Sequence, residues 1–281
     1  MRKELPFWAK ALYNMDEVIH VTYENTSPIG IFDSGVGGIS VLGRAKLALP
    51  HEDFIYYADT AHFPYGDNDP AVIRSEVMRA AETMVEQGAK ALVIACNTAT
   101  SIAIQDLRAR FSLPILGMEP ALKPAVERCH DKRIAVIATS LTLREKKFRD
   151  LFARCRERGD IVNLPAPGLA DLVERGHYND AMGEKFLADL FRGLGHVDGI
   201  VLGCTHYLFL LPLIHKDYPG VEIIDGGEGT VRHLIRTLTE LHLENHEGEG
   251  QIQVLSTAPE IFLPKFQTYL DDITSIIQRY L

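Results

Sequence analysis

The sequence predicts an α/β fold: two pseudo-symmetric α/β domains with mainly parallel sheets and an active site between them. Three observations predict it. Short, wholly apolar runs alternate with amphipathic stretches along most of the chain. Three of these runs recur in the second half, and a cysteine ends the same run in both copies. Runs that are apolar throughout mark parallel strands buried on both faces, because a strand with one wet face alternates polar and apolar residues.

Strands are expected at 29–32, 54–57, 91–95, 115–117, 134–138, 161–164, 199–202, 221–224 and 252–255. Helical patterns lie between them, such as 71–87, stopped by Gly88, and 143–158, stopped by Gly159. The repeat pairs Ile29-Gly-Ile-Phe-Asp-Ser with Ile134-Ala-Val-Ile-Ala-Thr and Ala91-Leu-Val-Ile-Ala-Cys96 with Gly199-Ile-Val-Leu-Gly-Cys204. It also pairs Leu113-Pro-Ile-Leu-Gly-Met with Val221-Glu-Ile-Ile-Asp-Gly. Cys96 and Cys204 stand 108 residues apart, as do Leu113 and Val221. Each half then sets a cysteine at the carboxyl end of an equivalent strand, where open α/β sheets bind ligands. The chain is expected to leave the first domain near residue 120 and return near 226. This gives a first domain of 27–119 plus 226–281, a second of 120–225 and an N-terminal extension of 1–26. Within the extension, Leu5, Phe7, Trp8, Leu12 and Tyr13 fit one apolar helical face, either a surface helix over the first domain or a regulatory arm.

Net charge is −9 and no basic run tracks a phosphate backbone, so no nucleic-acid partner is expected. No apolar run reaches bilayer length, and Lys10, Asp16, Glu17 and His20 interrupt the N-terminus where a secretory signal needs a continuous core. No membrane partner and a cytoplasmic location are therefore expected. The oligomeric state stays open, a homodimer included. Cysteines at 96, 129, 155 and 204 form no Cys-x-x-Cys pair, which argues against a disulfide framework or a structural zinc. Cys129 and Cys155, in charged helical contexts, are read as small buried hydrophobes.

Cys96 and Cys204 differ. Each closes a strand and is followed by small polar residues and a helical pattern. Backbone N–H groups at a helix start favour an anion and are expected to lower the thiol pKa. Inverting a carbon next to a carboxylate needs a base on one face and an acid on the other, and two opposed thiols supply both. Asp33-Ser-Gly-Val-Gly-Gly follows the first strand. It lacks the lysine of a phosphate loop and the third glycine of a dinucleotide fingerprint, so its glycines are read as a tight turn close to a ligand. His206, two residues beyond Cys204, is read as a partner for that thiol. Cys-x-His also fits a metal, but no third ligand lies near in sequence.

Asp33-Ser-Gly-Val-Gly-Gly, Pro64-Tyr-Gly, Cys96-Asn-Thr-Ala and Leu202-Gly-Cys-Thr-His-Tyr occur in an order and spacing that resemble the glutamate racemases of the aspartate/glutamate racemase superfamily. The resemblance runs from about Ile29 to the C-terminus, where Ser256-Thr-Ala-Pro-Glu-Ile-Phe is similar to the family's last strand and turn. It implies a cofactor-independent enzyme that interconverts L- and D-glutamate, a small-molecule amino-acid substrate, and a supply of D-glutamate for peptidoglycan. No pyridoxal phosphate, nucleotide or metal is implied. Cys96 would serve the D-enantiomer and Cys204 the L-enantiomer. Asp33 would support Cys96, and His206 with Glu174 would support Cys204. Asp33, Ser34, Tyr65, Gly66, Asn97, Thr98, Thr205 and His206 would contact the substrate, with Thr139 a further candidate. Leu208, Gly117-Met-Glu-Pro and Asp225-Gly-Gly-Glu-Gly depart from the usual pattern. They leave aspartate or another amino acid open as substrate. Other classes also stay open: a cysteine-nucleophile amidase, which leaves one cysteine unused, and a non-catalytic binding module.

Overall fold

The computed structural model describes residues 18–118, 121–128, 132–144, 146–156 and 159–281. Leu5, Phe7, Trp8, Leu12, Tyr13 and Cys129 lie outside the described residues.

All nine expected strands are present within a residue of their expected bounds. The first set runs β1 Ile29–Asp33, α1 Ile39–Ala48, β2 Phe54–Ala58, α2 Pro70–Glu86, β3 Ala91–Ile94, α3 Asn97–Arg110 and β4 Ile115–Gly117. The second opens with α4 Leu122–Arg128, β5 Arg133–Ala138, α5 Ser140–Arg144, α6 Lys146–Cys155, β6 Asp160–Pro165 and α7 Leu169–Glu174. It continues through α8 Ala181–Leu190, β7 Gly199–Leu202, α9 Leu211–Asp217 and β8 Glu222–Asp225. Then α10 Gly226–Leu241 carries the chain to β9 Ile252–Ser256 and α11 Pro259–Tyr280.

One sheet has the order β4-β3-β1-β2-β9 and the other β6-β5-β7-β8. Every pairing is parallel. The order β4-β3-β1-β2 in one sheet is repeated as β8-β7-β5-β6 in the other, and the register agrees. Ile29 faces Ala91 as Ile134 faces Gly199, and Leu92 faces Ile115 as Ile200 faces Ile223. The sequence repeat is therefore a repeat of topology. β9 is the exception, adding to the β2 edge with Ile252 opposite Phe54.

Local chemistry explains the boundaries. Asp69 caps α2 by accepting the Ala71 N–H, Pro70 occupies the first turn, and Gly88 leaves the helix at φ +87. The helical stretch expected over 143–158 begins earlier, at Ser140, and is described as α5 and α6 on either side of residue 145, which lies outside the described residues. Thr139 Oγ1 accepts the Thr142 N–H at 3.2 Å and so starts the helical stretch earlier.

A large core joins the halves: β1 and β2 residues, Ile39, Leu42 and Ala45 of α1, Tyr207–Leu211, Leu234 of α10, and Phe262, Tyr269 and Ile273 of α11 all belong to it. Separate apolar clusters cover the outer face of each sheet, one with α2 and α3, the other with α4, α6 and Cys155. Residues 18–26 run along the first half, where Ile19 bridges to Phe111 and Ile19, Val21 and Tyr23 pack on its outer cluster. At the amino end of β3, Lys90 is fully buried and meets Glu52 at 2.6 Å while donating to Leu243 O at 2.7 Å. Among the described residues no helix is long and apolar enough to cross a membrane.

Candidate active site

The carboxyl ends of β1, β3, β5 and β7 converge on one cavity, as ligand sites do in open α/β sheets. Its walls include Ser34, Tyr65, Gly66, Cys96, Asn97, Thr98, Thr139, Cys204, Thr205 and His206. Two further residues singled out from the sequence stand behind the wall. Asp33 is fully buried, and Glu174 reaches the site through His206. Phe63, Thr142 and Ala170 also line the cavity and carried no signal in the sequence, and Gly203 lines it from within the Leu202-Gly-Cys-Thr-His-Tyr motif.

On the first side, β3 delivers Cys96 to the position before α3. Ser34 Oγ lies 3.8 Å from its sulfur. The expectation of a lowered thiol pKa fails here. Burial pushes Cys96 up to about 12 and the Asp33 charge adds to this, while the Ala99 N–H and Ser34 oppose them with less effect. A helix start does not compensate for removal from water.

Asp33 makes no hydrogen bond to Cys96. Its Oδ1 accepts the Gly35 N–H at 2.9 Å and its Oδ2 accepts the Thr205 hydroxyl at 3.1 Å, a link between the halves. Burial raises its pKa, against the pull of His206 and the Gly35 N–H. Asn97 Nδ2 makes a second link by donating to Gly203 O at 3.2 Å. Asn97 Oδ1 is buried and has no hydrogen-bond partner among the described residues.

On the second side, Cys204 is followed by a 3₁₀ turn, Thr205–Leu210, where the sequence suggested an immediate helix. Pro212 has no N–H to offer the carbonyl of Leu208, so the α-helix starts only at Leu211. The His206 Nδ1 lies 3.6 Å from the Cys204 sulfur and its Nε2 lies 3.0 Å from Glu174 Oε1. Glu174 Oε1 also accepts the Val36 N–H at 2.5 Å, and Lys265 Nζ donates to Glu174 Oε2 at 2.7 Å. Burial disfavours the imidazolium, yet the hydrogen bonds to Cys204 and Glu174 outweigh it and raise His206 well above an ordinary histidine. Burial also works against the Glu174 carboxylate, and His206 and Lys265 together still hold its pKa below the usual value.

The glycines after Asp33 answer a different need from the one expected. None has a positive φ. A Cβ on Gly35 would lie 1.8 Å from Glu174 Oε1, and one on Gly37 would lie 2.3 Å from both His206 Nδ1 and Thr205 Oγ1. Gly35 and Gly37 make room for side chains of the other half, and Gly38 for Asp33 and Tyr56 of its own. Tyr56 closes this segment from below, its hydroxyl donating to Gly35 O at 2.7 Å.

Tyr65 faces the cavity with its hydroxyl already donated to Asp59 Oδ2 at 2.6 Å. Asp59, His62 and Glu76 bring potential metal-ligand atoms within 4.8 Å of one another. Asp59 accepts from Tyr65 and Thr257, and Glu76 is ion-paired with Arg79.

A family model of Asp/Glu/hydantoin racemases matches residues 43–234. The chain is 44% identical over 252 residues to the glutamate racemase of Halothermothrix orenii, a match covering 88% of this chain and 99% of that relative. It is similar to the crystal structure of glutamate racemase from Francisella tularensis in complex with D-glutamate (TM-score 0.75, 25% identity, 88% of this chain and 94% of that one). It is also similar to glutamate racemase from Thermus thermophilus in complex with β-chloro-D-alanine (TM-score 0.73, 33% identity, 89% of this chain and 94% of that one). The chain therefore belongs to the Asp/Glu/hydantoin racemase family.

Proposed function

We propose that this racemase interconverts L- and D-glutamate by two-base proton transfer, with Cys96 and Cys204 on opposite faces of the substrate Cα. The observation that carries this reading is that both thiols, from equivalent strand ends of the two halves, line one cavity. Cys204 takes the proton from the L-enantiomer while Cys96 delivers one to the other face; the roles exchange for the D-enantiomer. A Cys96 thiol raised to about 12 is neutral at physiological pH and so rests as the donor. In the opposite direction it must ionise, and a substrate ammonium would supply some of the stabilisation of its charge that burial takes away with the water. Asn97 Oδ1, buried without a partner, is a ready acceptor for that ammonium. Thr98, Thr205 and Ser34 offer hydroxyl donors for the carboxylates.

The cavity holds only about 40 Å³, room for little more than water, so the halves must part for the amino acid to enter. Closing then removes water from the reacting carbon. Glutamate, the amino acid in the relatives' names, is the proposed substrate, and its D-form would supply peptidoglycan synthesis in a bacterial cell. The two thiols provide both proton transfers, so the proposed reaction needs neither pyridoxal phosphate nor a metal.

Incubation with L-glutamate in deuterated water tests the reaction, with deuterium at Cα and formation of D-glutamate the expected result. Faster turnover of aspartate would overturn the assigned substrate. The two-base assignment is tested by Cys96→Ser and Cys204→Ser, each of which should abolish racemisation. With a substrate carrying a β leaving group, only one proton must be removed. Cys96→Ser should then eliminate from the L-analogue alone and Cys204→Ser from the D-analogue alone. A mutant that still racemises, or two mutants inert toward both analogues, would refute it.

A further inference from the structure

Lys265 lies on α11, whose preceding strand β9 belongs to the first sheet, whereas Glu174 ends α7 behind β6 of the second. The Lys265 ammonium crosses between them. It donates to Glu174 Oε2 at 2.7 Å and to the Glu174 carbonyl at 3.1 Å, so it fixes both the side chain and the backbone of that residue. Tyr269, one turn further along α11, adds a bond from its hydroxyl to Val173 O at 2.5 Å. Glu174 Oε1 is left to receive His206 Nε2 and the Val36 N–H, and His206 Nδ1 faces the Cys204 sulfur. The carboxylate is a hub. Two of its contacts, from Lys265 and Val36, come from the first half, and the third leads to a thiol of the second.

We propose that Lys265 is a positioning residue for the Cys204 side of the reaction. Its ammonium holds the Glu174 carboxylate so that the imidazole of His206 is presented to Cys204, and the chain of contacts is complete only when the two halves are together. The proposal rests on the two-cysteine reading above. Among the described residues no equivalent chain reaches Cys96, whose sulfur has Ser34 as its side-chain hydrogen-bond neighbour. The charged and titratable groups around Glu174 are His206 and Lys265 in contact, with Asp33, Tyr56 and Tyr269 close enough to feel its charge. Of these Lys265 is the cation that α11 contributes, and its side chain is 23% exposed, so water can reach the space its ammonium leaves.

The experiment compares the two half-reactions, because the overall racemisation rates in the two directions are tied together by an equilibrium constant of one. β-Chloro-L-alanine is given to Cys96→Ser and β-chloro-D-alanine to Cys204→Ser, each with and without Lys265→Met. The thiolate takes the Cα proton, chloride leaves Cβ, and the aminoacrylate hydrolyses to pyruvate and ammonium; pyruvate is measured. Lys265→Met should lower the ratio of L- to D-elimination about threefold to tenfold at neutral pH, with the acidic limb of the L-profile moved up by about one unit, the scale of one lost charge near a partly buried network. Lys265→Arg, which keeps the charge, should restore the ratio. Equal losses in both half-reactions, or no loss in either, overturn the positioning role and leave the two-cysteine reading standing. Parent Cys→Ser proteins that lack opposite handedness overturn that reading, and this proposal with it.

Discussion

Replacing Gly37 by alanine sets a methyl carbon 2.3 Å from Thr205 Oγ1 and His206 Nδ1 and 2.6 Å from His206 Cε1. All three are side-chain atoms of buried residues held by bonds to Asp33 and Glu174, so they yield less readily than an exposed side-chain end. The turn after β1 must therefore back away from residues 205–206 by about 1 Å to reach ordinary contact. Two bonds between the halves bear that displacement: Thr205 to Asp33 at 3.1 Å and Val36 to Glu174 at 2.5 Å. Overpacking costs about 1–3 kcal/mol, and a hydrogen bond to a charged group contributes about 1.5–3 kcal/mol. A loss of about 3 kcal/mol from the closed arrangement lowers the rate about 100-fold. The outer clusters of each half stay intact, so the unfolding midpoint should fall far less than the rate. The assay is kcat/KM for racemisation beside thermal unfolding, with Gly229→Ala as the control. Gly229 sits on an exposed face of α10 where an added Cβ meets nothing within 4 Å, and alanine there should stabilise the helix by about 0.5–1 kcal/mol. A Gly37→Ala protein with near-parental kcat/KM would show that the halves do not need this close approach, and the account of the glycines would be wrong.

Two further outcomes follow from buried charges. His206, raised above 6.5, contributes stability that is full below pH 6.5 and is lost as pH rises through its folded value. Glu174, lowered below 4.5, contributes stability present above 4.5 and lost as pH falls through its folded value. Unfolding midpoints against pH should show His206→Gln flattening the alkaline limb and Glu174→Gln the acid limb, each by up to about 1.4 kcal/mol per pH unit; unchanged limbs in both would refute the assignments. Lys90→Met leaves Glu52 buried and unpaired and should cost about 3–5 kcal/mol of stability. The pair sits at the amino end of β3, opposite Cys96, so kcat/KM of the folded protein should not move, and a changed value would refute a purely structural role.

The fold was legible because its signal is local and repeated. Nine runs each announce a parallel strand, deeply buried in β1, β2, β3, β5 and β7 and only partly so in β6, β8 and β9, and the offset of 108 residues between Leu113 and Val221 reappears as matched register in two sheets. The cavity wall was legible for a related reason: Ser34, Cys96, Asn97, Thr139, Cys204 and Thr205 all stand where a strand ends, and strand ends converge. What escaped depends on distance along the chain. Lys265 is 91 residues from Glu174 and lies inside a helix, where a lysine reads as a solvated side chain. Phe63, which packs its ring 5.4 Å from that of His206, likewise has no pattern of its own. The direction of the Cys96 pKa escaped because a motif reports the N–H groups nearby but not how much water the rest of the fold removes.

The scaffold is symmetric while the support of its two thiols is not, and β9 with α11 accounts for much of the difference. The repeated order β4-β3-β1-β2 and β8-β7-β5-β6 would, alone, give each cysteine an equivalent setting. The chain then leaves β8 through α10 and adds one strand to the first sheet only. That extra strand directs α11 along α1 and toward α7, where Lys265 and Tyr269 meet Glu174 and Val173. The second half carries no counterpart of this strand and helix among the described residues, so Cys96 is left with Ser34 and the buried Asp33, while Cys204 gains a histidine backed by an anion and a cation. A racemase gives no advantage to either enantiomer at equilibrium, but it does not need two identical bases to achieve that. The proposed reaction needs two that exchange a proton across one carbon, Cys204 as thiolate and Cys96 as thiol for one enantiomer and the reverse for the other, and two unequal settings can serve both.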